Sequence, residues 1–195
     1  VYGFSNALMS LSGYYDPGEG ILGNFSGLSP YSSNDITYIG SSSQDILNLG
    51  SDRTEYTGNL NIFLGDGNDI IRSGNFKEND IIEAGSGEDE VFIMNNVSDF
   101  LALNTTKLDG GLGNDTLSFS SSLGTASEIN LTTMKVVNFE NVVGTNLDDT
   151  IRGDSGDNIL SGVGGADNIF GGLGNDILYG NSNYSFDDTS NDNLY

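Results

Sequence analysis

Residues 144–179 form four consecutive blocks of nine residues, GTNLDDTIR, GDSGDNILS, GVGGADNIF and GGLGNDILY. Every block begins with Gly, carries Asp or Asn at its sixth position and carries Ile or Leu at its eighth. The sixth positions are Asp149, Asn158, Asp167 and Asp176. A fixed period of this kind is the signature of a repeat architecture. The register therefore predicts a solenoid in which each block is one structural unit.

The composition of one block predicts its local structure. Its first six residues are rich in Gly, Asn and Asp, which accept positive φ and favour a turn. Its last three have an aliphatic centre and form a minimal strand with one inward side chain. Two blocks then make one coil, so that Asp149 lies over Asp167 and Asn158 over Asp176.

The predicted stacking brings acidic side chains close together, at the strand separation of roughly 4.8 Å. Carboxylates at that spacing repel one another unless a cation lies between them. Calcium accepts six to eight oxygen ligands in flexible geometry, whereas magnesium demands a near-ideal octahedron. The sequence therefore predicts calcium sites, with backbone carbonyls of the Gly-rich turns as further ligands.

The four blocks resemble the RTX nonapeptide repeat, G-G-x-G-x-D-x-U-x. A fifth full match, GGLGNDTLS, lies at residues 110–118. The resemblance implies an all-β fold, a right-handed parallel β-roll or β-helix solenoid that binds several calcium ions. Together with the stacking argument, it gives these candidate metal ligands: Asp45, Asp69, Asp89, Gly110, Leu112, Asp115, Asp149, Gly153, Ser155, Gly156, Asn158, Gly162, Gly164, Gly165, Asp167, Gly171, Gly172, Gly174 and Asp176.

The upstream half carries weaker versions of the block. LGDGNDIIR and AGSGEDEVF keep Gly at positions two and four and Asp at position six, as Asp69 and Asp89. GSSSQDILN keeps its first Gly and Asp45, and NFKENDIIE keeps only Asp80 and its aliphatic residues. We expect these blocks to be rungs of the same solenoid in which some turns have lost the metal. Because Asp69 and Asp89 are 20 residues apart, their stacking requires an accommodated insertion.

These patterns divide the chain into five segments. Residues 1–33 are an expected N-terminal cap, and 34–94 a degenerate solenoid. Residues 95–143 form an irregular insertion that contains the block at 110–118, and the stretch 126–145 predicts two longer strands. No block lies 18 residues from Asp115, so its site is expected to borrow from an irregular neighbour. Residues 144–179 are the regular roll, and 180–195 a cap or tail.

The composition excludes several classes of function. Six Lys and Arg face 28 Asp and Glu, for a formal net charge of -22. Nucleic acids and anionic membrane surfaces both recruit basic residues, so neither is an expected partner. The chain has no His and no Cys, which removes Ser-His-Asp and thiol catalysis and His-ligated zinc. It has no apolar run long enough to span a bilayer. We expect a protein that is not an enzyme.

The RTX resemblance implies secretion by a type I system and folding on contact with extracellular calcium. The first hypothesis is a structural segment of a bacterial surface or extracellular protein, such as an adhesin, an S-layer protein or a filament subunit, with end-to-end self-association. The second is a calcium-dependent module that binds a glycan or a protein through the Tyr-rich N-terminal region. The third is the non-catalytic domain of a secreted hydrolase.

Overall fold

The protein is an all-β solenoid in the part of the chain that the structure describes. The computed structural model describes residues 14–16, 20–24, 35–50, 58–73, 76–77, 79–94, 107–120, 126, 128–132, 136–181 and 192–195. These ranges contain 18 strands and their connecting turns. No helix within them has the length and apolarity needed to cross a bilayer.

The strands form three sheets. A nine-stranded sheet has the order β1 (Tyr14–Asp16), β2 (Gly20–Asn24), β4 (Ile46–Gly50), β6 (Ile70–Ser73), β8 (Glu90–Ile93), β10 (Thr116–Phe119), β13 (Asn141–Val143), β15 (Ile159–Val163) and β17 (Ile177–Asn181). A five-stranded sheet has the order β12 (Val136–Val137), β9 (Lys107–Gly113), β7 (Ile81–Gly87), β5 (Leu60–Asp66) and β3 (Ile36–Ile39). A four-stranded sheet has the order β11 (Glu128–Asn130), β14 (Thr150–Arg152), β16 (Asn168–Phe170) and β18 (Asn193–Leu194).

The chain alternates between sheets as it winds. From β3 to β10, each strand of the five-stranded sheet is followed by one of the nine-stranded sheet. From β14 to β17 the four-stranded sheet takes the place of the five-stranded one. Neighbouring strands pair in parallel, except that β1 and β2 form an antiparallel pair. This winding confirms the parallel β-solenoid.

The core consists of aliphatic side chains that repeat in register from rung to rung. In the nine-stranded sheet, one such column is Leu47, Ile71, Val91, Leu117, Val142, Leu160 and Leu178. All of its members are fully buried except Leu178, which is partly buried. In the four-stranded sheet, Ile151 and Ile169 are also fully buried. The eighth position of each block thus supplies the inward side chain.

The upstream blocks are rungs of the same solenoid, as predicted. One detail of the prediction differs, because the described part of residues 126–145 holds three short strands, β11, β12 and β13, instead of two longer ones. A turn ends β11, since the amide and hydroxyl of Thr132 both donate to Asn130 Oδ1, at 3.0 and 2.7 Å. Between β12 and β13, Asn138 has a φ of 58°, which no extended strand accommodates.

At the two ends the structure describes only parts of the expected caps. The β1–β2 hairpin adds to the nine-stranded sheet through the pairing of β2 with β4. At the other end β18 pairs with β16. The remaining residues of 1–33, and residues 182–191, lie outside the described ranges. The segment boundaries therefore stay a prediction.

Replacing a central leucine should test the core column. Leu117 is 0 % exposed and Leu173 is 73 % exposed. We expect Leu117→Ala to lower the free energy of unfolding by about 2–5 kcal/mol, because it leaves a cavity in a stacked column. Leu173→Ala makes the same chemical change on the surface and should leave stability nearly unchanged. Urea denaturation in calcium measures both, and equal effects would contradict the inward column.

Candidate metal centre

An acidic or amide residue directly precedes each strand of the nine-stranded sheet from β4 to β17. We call this set the acid column: Asp45, Asp69, Asp89, Asp115, Glu140, Asn158 and Asp176. Because the strands that follow are paired in register, its members lie in one line along the solenoid. The column thus continues through both halves of the chain.

Hydrogen bonds join the acid column from rung to rung. The amide of Asp45 donates to Asp69 Oδ1 at 2.7 Å, and that of Asp69 donates to Asp89 Oδ1 at 2.7 Å. The amide of Asp89 donates to Asp115 Oδ1 at 2.8 Å, and that of Asp115 donates to Glu140 Oε2 at 2.8 Å. The neighbouring rung therefore occupies one oxygen of each of these carboxylates and leaves the other for a different partner.

A second line of acids precedes several strands of the other two sheets, among them β7, β14, β16 and β18. The amide of Asp149 donates to Asp167 Oδ1 at 2.8 Å, and the amide of Asp167 donates to Asp192 Oδ1 at 3.0 Å. In the upstream half, the amide of Leu60 donates to Asp80 Oδ1 at 2.8 Å. In the acid column, the amide of Asn158 donates in the same way to Asp176 Oδ1 at 2.9 Å. The predicted stacking of Asp149 with Asp167 and of Asn158 with Asp176 is therefore present.

The turns that carry these acids are of two kinds. In the first kind, which we call self-capped, the amide of the second residue donates to the acid at position six. Ser41 donates to Asp45 Oδ2 at 2.7 Å and Thr145 to Asp149 Oδ2 at 2.6 Å. Asp154 donates in the same way to Asn158 Oδ1 at 2.9 Å. The turns 40–45, 144–149 and 153–158 thus use their own backbone to satisfy the side chain at position six.

In the second kind, which we call glycine-pair turns, positions two and four are Gly with positive φ. Residues 64–69, 84–89, 110–115 and 171–176 form such turns, and the first three follow one another in one stack. In the middle one of these three, Gly85 and Gly87 have φ of 117° and 147°, values that L side chains rarely adopt. A Cβ on Gly85 would overlap the carbonyl oxygen of Gly65 in the preceding turn. The three turns therefore stack backbone on backbone, with carbonyl oxygens close to the next turn.

In each of the three stacked glycine-pair turns, the acid at position six has one carboxylate oxygen without a hydrogen bond. Asp69, Asp89 and Asp115 are 1 %, 2 % and 0 % exposed, and within the described part of the chain their Oδ2 atoms have no hydrogen-bond partner. Burial raises the pKa of Asp69 from 3.8 to about 7 and that of Asp115 to about 6. Burial likewise raises the pKa of Asp89. A buried carboxylate oxygen without a donor is costly unless a cation compensates it.

These oxygens fit a hard cation. Among the described residues, no three acidic side chains converge on one point, so side chains alone cannot enclose an ion. The additional ligands must be the carbonyl oxygens of the stacked turns. A donor set of carboxylate and carbonyl oxygens suits calcium. When bound, calcium supplies the positive charge that compensates the buried carboxylates.

The family comparison agrees with this geometry. The family model of the RTX calcium-binding nonapeptide repeat matches residues 107–119 and 143–178, in four copies. These segments are RTX repeats. RTX repeats bind calcium, with several ions in a repeat region, so the metal of this protein is calcium. No curated protein matches the chain in sequence.

The candidate ligands fall on the two lines of acids and on their turns. The acid column holds Asp45, Asp69, Asp89, Asp115, Asn158 and Asp176, and the second line holds Asp149 and Asp167. The turns of the RTX repeats hold Gly110, Leu112, Gly153, Ser155, Gly156, Gly162, Gly164, Gly165, Gly171, Gly172 and Gly174. Their individual roles as calcium ligands stay a prediction.

Asp115 has one glycine-pair neighbour and one irregular neighbour. It stacks on the glycine-pair turn of Asp89, 26 residues earlier, and its amide donates to Glu140 in the irregular segment, where a neighbour was expected. The separation exceeds 18 because β8 ends at Ile93 and β9 begins only at Lys107. The turns of Asp69 and Asp89 lie outside the RTX repeats, yet they continue the stack of the RTX turn 110–115.

Two members of the hydrogen-bonded lines were missed by the sequence analysis. Glu140 precedes β13 and accepts the amide of Asp115, and Asp192 precedes β18 and accepts the amide of Asp167. Neither lies in a glycine-rich block. Both begin the shorter pattern acid–Asn–aliphatic, as Glu140-Asn141-Val142 and Asp192-Asn193-Leu194, and this pattern could have identified them.

The raised pKa values predict a pH dependence of the calcium-free protein. The folded state keeps the proton of Asp69 up to about pH 7, while the unfolded chain releases it near 3.8. The stabilisation is therefore complete below pH 3.8 and is lost as the pH rises toward 7. In EDTA, where the chain is largely unfolded at pH 8, we expect a gain of β-structure at pH 5, measured by far-UV circular dichroism.

Asp69→Asn should weaken this dependence, because the amide does not titrate. Asp66→Asn changes an exposed carboxylate of the same turn, whose charge is the smallest of the named contributions to the pKa of Asp69, and should change the dependence much less. A β-structure content in EDTA that rises from pH 5 to pH 8 would contradict the assignment.

Proposed function

We propose that this chain is a calcium-stabilised structural segment of a bacterial surface or extracellular protein, and that it folds when it meets extracellular calcium. RTX repeats are typical of proteins secreted by type I systems. The observation that carries the proposal is the stack of buried carboxylates at Asp69, Asp89 and Asp115. Their compensation by calcium makes the fold depend on the ion. The candidate host proteins are an adhesin, an S-layer protein and a filament subunit.

The charge of the chain supports a folding switch. With a formal net charge of -22, the calcium-free chain repels itself. Folding increases this repulsion, because it places the acids of successive rungs next to each other, as it does Asp69 and Asp89. Because a preformed site rarely exists in an unfolded chain, the free energy of binding calcium contributes to the free energy of folding. Low calcium inside a cell would then keep the chain unfolded until it is exported.

A non-catalytic role fits the use of the acids. The carboxylates of Asp69, Asp89 and Asp115 lie in the rung-to-rung hydrogen bonds, which gives them a structural role. The RTX roll is a structural calcium-binding domain. If the full-length gene encodes a catalytic module, the same segment would be the non-catalytic domain of a secreted hydrolase.

The glycan- or protein-binding alternative depends on the Tyr-rich residues 1–33. The structure describes only β1 and β2 in that range. The alternative therefore stays a prediction, and binding to a glycan array in calcium tests it.

The downstream end of the solenoid supports end-to-end association. The inward columns end there in Leu178, which is partly buried, and Leu194, which is 48 % exposed, whereas Leu160 and Ile169 one rung earlier are fully buried. Among the described strands, β17 and β18 are the last of their sheets. A second copy that stacks on this end would cover both leucines and extend the parallel sheets. Such head-to-tail contacts generate fibres when they do not close.

Folding on calcium can be followed directly. Starting from EDTA-treated protein, we expect far-UV circular dichroism to change from coil to β-structure at submillimolar to millimolar calcium, in the range of extracellular calcium modules of about 10⁻⁴–10⁻³ M. Magnesium at equal concentration serves as the control and should not induce the transition. A chain that is fully β-structured in EDTA and indifferent to calcium would contradict the folding switch.

Association can be measured by sedimentation velocity. We expect the protein to form larger species in calcium with rising protein concentration. Leu194→Lys should reduce them, because a charge then occupies the open end of the core. Leu173→Lys, at a leucine exposed on a turn, is the matched control and should associate like the unmodified chain. A monomer at every concentration in calcium would rule out end-to-end stacking.

A further inference from the structure

We propose that calcium is held chiefly by the stack of glycine-pair turns at 64–69, 84–89 and 110–115, and that the self-capped turns of Asp45 and Asp149 stay free of metal. The proposal deepens the calcium-binding function and rests on it. It assigns ions to two turns outside the RTX repeats and withholds them from one turn inside. The regularity of the sequence in 144–179 would suggest the opposite distribution.

The first reason is the state of the carboxylate oxygens. In the glycine-pair turns, the Oδ2 atoms of Asp69, Asp89 and Asp115 are buried and, among described residues, have no donor. These atoms need a partner, and no described side chain of the turns donates to them. A cation satisfies three such oxygens in one line.

The second reason is that, in the self-capped turns of Asp45 and Asp149, the turn's own N–H group already donates to Oδ2, the atom that calcium would bind. In the turn 144–149, both the amide and the hydroxyl of Thr145 lie within 3.1 Å of Asp149 Oδ2. In the turn 40–45, the amide of Ser41 holds Asp45 Oδ2 at 2.7 Å. An N–H group directed at the oxygen presents positive charge where a cation would have to lie. Metal binding there would first have to break these bonds.

The third reason is the order in which the turns stack along the solenoid. The registers Gly65 with Gly85 and Gly85 with Gly111 place three glycine-pair turns in succession, which creates two spaces between open turns. We infer one ion in each space. Carbonyl oxygens border both spaces, because a Cβ on Gly85 or Gly111 would overlap the carbonyl oxygen of the preceding turn.

In the RTX segment 143–178, each of the two stacks instead places a turn with positive φ on a self-capped turn. The turns 162–167 and 171–176 have positive φ at positions two and four. However, a Cβ on Gly165 would contact Leu147 in the self-capped turn 144–149, and one on Gly172 would overlap the carbonyl of Asp154 in the self-capped turn 153–158. Among the described turns, each of these two stacks on a self-capped turn, so the space between them lacks half of its free oxygens.

Native mass spectrometry of the full chain, loaded with calcium, can count the bound ions. Asp89 borders both spaces of the stack, so we expect Asp89→Asn to lose two ions. Asp149→Asn makes the same change in a self-capped turn and should keep the ion count of the unmodified chain. The double variant Thr145→Gly with Leu147→Gly, which converts the self-capped turn into a glycine-pair turn, should gain one ion.

The outcomes separate this inference from the proposed function. An unmodified chain that binds no calcium overturns both. Calcium binding that Asp149→Asn reduces as much as Asp89→Asn overturns only the selective distribution. Circular dichroism in calcium verifies that each variant is folded. If Asp89→Asn does not fold, the ion count of the Thr145→Gly, Leu147→Gly variant decides, and a count equal to that of the unmodified chain overturns the inference.

Discussion

The structure depends on one hydrogen bond that is repeated along the solenoid, from the backbone amide of an acidic residue to the carboxylate of the acid in the next rung. The bond from Asp69 to Asp89 is an example, at 2.7 Å. It fixes the position at which each strand begins and so keeps the inward aliphatic residues in register. It also places the carboxylates of successive rungs in one buried line. Both the stability of the fold and its demand for a cation follow from that arrangement.

The protein resolves this charge in two ways. Where the amide at position two points at the residue at position six, the turn satisfies its own acid, as Thr145 does for Asp149. Where position two has a positive φ, as at Gly85, the second oxygen of the acid is left without a hydrogen bond, as in Asp89. The backbone conformation of the turn thus decides between a hydrogen bond, which the chain provides, and an ion, which must be supplied.

Much of this fold could be predicted from the sequence, because period and chemistry agree. The spacing of Ile151, Leu160 and Ile169 identifies the core, and the Asp residues identify the start of each strand. The neighbours of Asp115 could not be predicted, since stacking depends on space and the coils differ in length. The protonation and capping of individual acids were also beyond the sequence. They depend on where the backbone N–H at position two of the turn points. The identity of the residue there, such as Thr145 or Gly85, does not show this by itself.

The distances between stacked acids are unequal along the chain. They are 24, 20, 26, 25 and 18 residues from Asp45 to Asn158, although each step is a single rung. The register is therefore set by the bonded acids and is independent of how much chain lies between them. A long coil can acquire or lose residues in its connecting segment while the rungs above and below keep their places. Insertions and deletions between the strands can therefore accumulate during evolution without redesign of the core.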